Sequence, residues 1–118
     1  DVGGNAVGSE GLVRFGDHLT QFKQLTSLSL ECSEAKIDSD GLSRWGDRLR
    51  MVEQLQSLRM NFGSNWIYPE GFVRLGFHLQ SLVRLTDLSL NFSNNFLDTD
   101  AVVKFGEHLG NLTRLMTL

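Results

Sequence analysis

The stretch GLSRWGDRL, Gly41 to Leu49, decides the fold, because it has three counterparts spaced thirty residues apart: GLVRFGDHL from Gly11, GFVRLGFHL from Gly71 and AVVKFGEHL from Ala101. Four copies in register, without insertions, mean that one structural unit recurs along the chain. The intervening segments recur too, as LTSLSLECSEAKID from Leu25, LQSLRMNFGSNWIY from Leu55 and LTDLSLNFSNNFLD from Leu85, and VGGNAVG from Val2 matches the tail of an earlier copy. Such a sequence predicts a solenoid, in which no unit buries its apolar face without its neighbours.

Within a unit, Leu12, Phe15, Leu19 and Phe22 follow the three-four spacing of a helix with one buried face, and the columns recur as Leu42, Trp45, Leu49, Val52 and Phe72, Leu75, Leu79, Leu82. Pro69 fits best at the first helical position, which makes Gly8, Asp38, Tyr68 and Asp98 the N-cap column. Carboxylates follow at Glu10, Asp40, Glu70 and Asp100, where the helix dipole favours them. Gly16, Gly46, Gly76 and Gly106 lie inside the helix at a cost of about 1 kcal/mol each against alanine. Close approach of a neighbouring helix is the expected reason.

After each helix, Leu28, Leu30 and Cys32 alternate with Ser29, Glu31 and Ser33, and the same pattern returns at Leu58, Met60, Phe62 and at Leu88, Leu90, Phe92. Period two predicts strands with one buried face. Equivalent strands, each followed by a helix, must pair in parallel with the helices as a second layer.

LxxLxLxF, then xxNxI, then a short link to a glycine-headed helix resembles the leucine-rich repeat, and NAVGSEG at Asn5 to Gly11 is similar to its ribonuclease-inhibitor-like subclass. The thirty-residue unit, with its extra strand position at Cys32, Phe62 and Phe92, looks like the longer units of protist multi-repeat proteins. The resemblance implies a curved α/β solenoid, a horseshoe with a parallel β-sheet on the concave side and α-helices on the convex side. It also implies a ladder of asparagines, Asn5, Asn65 and Asn95, that satisfies turn backbone groups and is interrupted by Ala35. The 118 residues are expected to be one domain of about four units (1–30, 31–60, 61–90, 91–118), and a segment of a longer chain, since Asp1 enters mid-unit and neither end carries a polar cap.

Eleven basic and fourteen acidic residues give a net charge of −3, with no clustered positive surface for nucleic acid. The single cysteine, Cys32, stands in a core column and reads as a small hydrophobe, which favours an intracellular, cytoplasmic setting. No apolar run approaches the ~18 residues of a membrane span. Catalytic motifs are missing: there is no phosphate loop, no HExxH, and no carboxylate pair without a helix-cap explanation. We therefore expect neither an enzyme nor a bound cofactor or metal. His18, His78 and His108 share a column, but equivalent residues on adjacent helices stand roughly 8–10 Å apart, too far for a shared ion, so the column reads as a solvated helix face. Arg14–Asp17, Arg44–Asp47 and Lys104–Glu107 are expected as i, i+3 ion pairs.

What remains is surface. The outward strand positions Glu31, Arg59, Asn61 and Asn91, among serines and Gly63, form a shallow polar lattice with room for a partner. Trp66, Tyr68 and Phe96 lie along one loop edge, where rigid aromatic area is what interfaces most often use, or where the rings fold over the core edge. Phe77 replaces an acid in its column, either as one exposed ring or as a contact. The expected function is a protein–protein interaction scaffold within a larger assembly. A regulator of an enzyme, of the small-GTPase-activator or nuclease-inhibitor type, and a sensing domain of a receptor or kinase are the alternatives.

Overall fold

Leu28, Leu30 and their counterparts turn inward while the residues between them stay out, and the backbone follows the pattern. The structure, a computed structural model, describes residues 8–110. Its elements are α1 (Gly8–Leu19), β1 (Ser27–Glu31), α2 (Ser39–Leu49), β2 (Ser57–Asn61), α3 (Pro69–Leu79), β3 (Asp87–Asn91) and α4 (Thr99–Leu109). The strands form one parallel sheet in the order β1-β2-β3, with Leu30 opposite Met60 and Met60 opposite Leu90. The pairing offset thus equals the thirty-residue interval in the sequence. The helical crossovers that parallel pairing requires stack side by side, α1 on α2, α2 on α3 and α3 on α4.

The core lies between sheet and helices. Phe72 stacks on Phe105 at 4.2 Å between ring centroids and meets Phe92 edge-on at 4.9 Å, while Phe62 stacks on Phe92 at 5.5 Å. Trp45 is fully buried, and its indole Nε1–H donates to Met60 Sδ at 3.3 Å. The helix starts follow the N-cap column: Asp38 Oδ1 accepts from Gly41 N and Asp98 Oδ1 from Ala101 N, each at 2.8 Å, and Pro69 opens α3 behind Tyr68. A Cβ on Gly16 would lie 2.9 Å from Arg48 Cβ, one on Gly46 3.0 Å from His78 Cδ2, and one on Gly76 2.8 Å from Phe105 Cδ2, so neighbouring helices do approach there. Gly106 meets nothing within 4 Å among the described residues.

Several expectations are corrected. The described residues do not form the leucine-rich-repeat solenoid, the curved horseshoe: three strands and four helices close into a small two-layer α/β body of 33 × 30 × 19 Å. Its radius of gyration, 12.7 Å, matches the ~13 Å of a compact domain of about 100 residues. Three strands at ~4.8 Å spacing make a sheet only about 10 Å across, too narrow for the small rotations between strands to accumulate into a horseshoe. Phe22 is 59% exposed rather than in the core, although its counterparts Val52 and Leu82 are buried. The i, i+3 ion pairs give way to other partners. Arg44 reaches Glu10 on the preceding helix at 3.2 Å and Asp40 at 3.5 Å, Asp17 accepts from Arg48 Nε at 3.0 Å, and Lys104 pairs with Asp100 at 3.2 Å. Stacked helices bring a neighbour's carboxylate as close as any on the same helix, and exposed pairs of this kind contribute little to stability.

Candidate protein-interaction surface

The loops from strand ends to helix starts are held by two side-chain devices. Asn65, 3% exposed, accepts at Oδ1 from Ala35 N (3.0 Å) and Ile37 N (2.9 Å) and donates through Nδ2 to Cys32 O (2.8 Å), Phe62 O (2.9 Å) and Gly63 O (3.2 Å). One amide thereby satisfies its own turn and the preceding one, including the turn whose own position is Ala35. Asn95 does the same one unit on, accepting from Ile67 N and donating to Phe62 O, Phe92 O and Ser93 O. Asn5 lies outside the described residues. The second device has no sequence reading behind it: Ser39 Oγ accepts from Tyr68 N at 2.8 Å, and Ser9 Oγ accepts from Asp38 N at 3.1 Å while donating to Asp38 Oδ1. A serine or threonine just inside three of the four helices was the available signal.

Loops pinned in this way present a fixed aromatic edge. Trp66, Tyr68 and Phe96 are 53%, 49% and 52% exposed, so the rings do not fold over the core. Tyr68 and Phe96 stack with centroids 4.6 Å apart and planes inclined by 14°. The backbone beneath is tied down, Trp66 N donating to Ile37 O and Phe96 N to Ile67 O at 2.9 and 2.8 Å.

The exposed face of the sheet brings Glu31, Arg59, Asn61 and Asn91 together along a groove of about 450 Å³. Its acceptors are already engaged: Glu31 Oε1 takes Ser33 Oγ (2.8 Å), Asn61 Oδ1 takes Gly63 N (2.9 Å), and Asn91 Oδ1 takes Ser93 N (2.9 Å) and Oγ (2.8 Å). Asn61 Nδ2 donates across the strands to Glu31 Oε2 at 3.1 Å. The Ser33 hydroxyl, outweighing partial burial and helped by Asn61, holds the Glu31 carboxyl below its ordinary value. Behind the sheet, burial and then the charge of Glu31 push the Cys32 thiol up to about 11, which keeps it protonated and inert.

On the helix layer, Phe77 is exposed between His78 and His108, edge-on to each at 5.6 and 5.8 Å, beside a groove of about 500 Å³ between α3 and α4. The histidine column is not uniformly solvated. His18 is exposed, but His78 is half-buried and its Nδ1 has no hydrogen-bond partner among the described residues. Burial lowers the His78 pKa against the pull of Asp47. The absence of a side chain at Gly46 lets the ring settle that deep.

Among the described residues no helix is long and apolar enough to cross a membrane. No family model matches the chain, and no curated protein matches it. Among solved structures, a chain described as leiomodin-1 actin-binding site 2 is similar at a TM-score of 0.71 and 15% identity, over 92% of this chain and 61% of that one. At such identity the likeness is one of fold, and this chain spans about three fifths of that chain's length. The descriptors leucine-rich repeat, repeat protein and solenoid are accordingly corrected: the similarity found is to a domain described by its actin binding, and the chain is a small α/β domain of three parallel strands and four helices.

Proposed function

We propose that the chain is a non-catalytic protein-interaction module, part of a larger assembly, that holds a protein partner on the edge made by Trp66, Tyr68 and Phe96. The observation that carries this reading is the Tyr68–Phe96 stack, half exposed on loops whose backbone is already ordered by Asn65 and Asn95. Ordered aromatic area loses little entropy on binding and suits a hot spot. The leiomodin name supports a protein partner in general, without pointing to actin for this chain. The balance of fourteen acids to eleven bases supports a protein rather than a nucleic acid partner. Control of an enzyme by the same edge is the second reading, since an enzyme is itself a protein partner.

The test is partner capture by crosslinking in the native source with Trp66→Ala and Phe96→Ala combined. Capture should fall at least ~30-fold, the size of one hot-spot residue of about 2 kcal/mol, with far-ultraviolet circular dichroism unchanged. Undiminished capture by a folded double variant would remove the edge. Arg59→Glu with Asn61→Glu in the same assay asks whether the sheet face takes part.

A further inference from the structure

The three strand-to-helix connections, two of which carry Trp66, Tyr68 and Phe96, taken with the first two residues of each following helix, span residues 34–40, 64–70 and 94–100 and hold six carboxylates against a single lysine, Lys36. The loops at the opposite end of the strands, 20–26, 50–56 and 80–86, hold Lys23, Arg50 and Arg84 against Glu53 alone. Of the six acids, Asp40 and Asp100 are paired with Arg44 and Lys104. Glu34, Asp38, Glu70 and Asp98 form no ion pair among the described residues. Asp38 and Asp98 each use Oδ1 to cap a helix, and their Oδ2 atoms make no hydrogen bond among the described residues. Both are placed near the aromatics by the backbone: Asp38 pairs with Trp66 in an isolated parallel bridge, Asp98 follows Phe96 by two residues, and Asp38, Tyr68 and Asp98 occupy the N-caps of three successive helices.

The half-exposed rings make this edge a docking surface, and the unpaired carboxylates beside them decide the sign of what docks. A guanidinium can lie flat on an aromatic face while its N–H fork reaches a neighbouring carboxylate, satisfying both kinds of group at once. An acidic segment would meet repulsion, and a purely apolar one would strip water from carboxylates without offering a cation. We propose that the edge takes a basic, arginine-bearing segment of the protein partner, its guanidinium stacked on Trp66 or on the Tyr68–Phe96 pair and held by Asp38 and Asp98. This rests on the proposed function, whose partner it specifies by chemistry.

Trp66 supplies the readout, since the chain's other tryptophan, Trp45, is fully buried and serves as an internal reference. The whole chain is titrated with short oligo-arginine, oligo-lysine and oligo-glutamate peptides at two salt concentrations. Oligo-arginine should change the Trp66 emission, more strongly at low salt, oligo-lysine should bind more weakly, and oligo-glutamate should not bind. Asp38→Asn combined with Asp98→Asn keeps the caps, since asparagine caps as well as aspartate, and should weaken oligo-arginine binding by about tenfold with an unchanged melting temperature. Trp66→Phe should silence the emission change while anisotropy of a labelled peptide still reports binding. Three outcomes overturn the inference: no binding of oligo-arginine, equal binding of oligo-lysine, or binding indifferent to the aspartate replacements. Should any of these occur while the Trp66→Ala and Phe96→Ala pair still abolishes capture of the native partner, the inference falls and the interaction edge stands.

Discussion

The two ends of the strands solve the same problem by different means. Where helices run into strands, around residues 50–56 and 80–86, the main chain satisfies itself: Leu55 N bonds Val52 O, Leu85 N bonds Leu82 O, and Gln56 O receives both Thr86 N and Asp87 N. Val52, Leu55, Leu82 and Leu85 fill the space beneath, all buried. Where strands run into helices, the main chain still bonds from unit to unit, as in Glu34 N to Gly63 O and Ser64 N to Ser93 O, but left-handed residues at Glu34, Lys36, Ser64 and Asn94 bend it, and carbonyls such as Cys32 O and Phe62 O are left to side chains. A buried amide side chain collects them, because an unpaired polar group in the interior costs more than one held by a side chain. The first end is built of hydrocarbon and local turns. The second is built of side-chain hydrogen bonds, and so it can hold a fixed aromatic surface.

Breaking each end in turn should show the difference. Asn65→Ala strands two N–H groups and three carbonyls; we expect a loss of about 3–5 kcal/mol in urea unfolding, larger than any single exposed substitution. A loss under about 1 kcal/mol would mean that water replaces the amide and that the ladder adds little. Leu85→Ala at the opposite end should cost about 2–4 kcal/mol by leaving a cavity, without altering the Trp66 emission that Asn65→Ala disturbs.

A smaller effect sharpens the contrast through charge. His78 lies among Asp47, Arg50 and Arg74, with the Phe77 ring edge-on to it, near the basic end of the strands. Its folded-state pKa is lowered by burial, so the unfolded chain takes the proton more readily. The stability it contributes is present above the ordinary value of 6.5 and is lost as pH falls below it. His78→Gln should flatten that slope in a plot of melting temperature against pH. Identical slopes in the wild type and His78→Gln would show that the buried ring does not titrate in this window.

Much of this could be read from the chain. Period two at Leu28, Leu30, Leu58 and Met60 predicts the parallel strands, and the N-cap column predicts three helix starts to the residue. The glycines at 16, 46 and 76 predict close helix contacts, though the gap in the sequence pattern cannot say that Arg48, His78 and Phe105 fill them. The roles of Ser9 and Ser39 are not legible from spacing, because their bonds run to the next unit. The same is true of the ion pairs: Arg44 and Glu10 are 34 residues apart and meet only after the helices stack.

The sequence by itself determined the local elements and their thirty-residue register, because alternation and three-four spacing are properties of one strand or one helix. Only the tertiary structure decided the overall shape, the exposure of Trp66, Tyr68 and Phe96, and the partners of the charges. Each of those depends on which segments face each other across the stack, and a spacing pattern does not measure distance between segments.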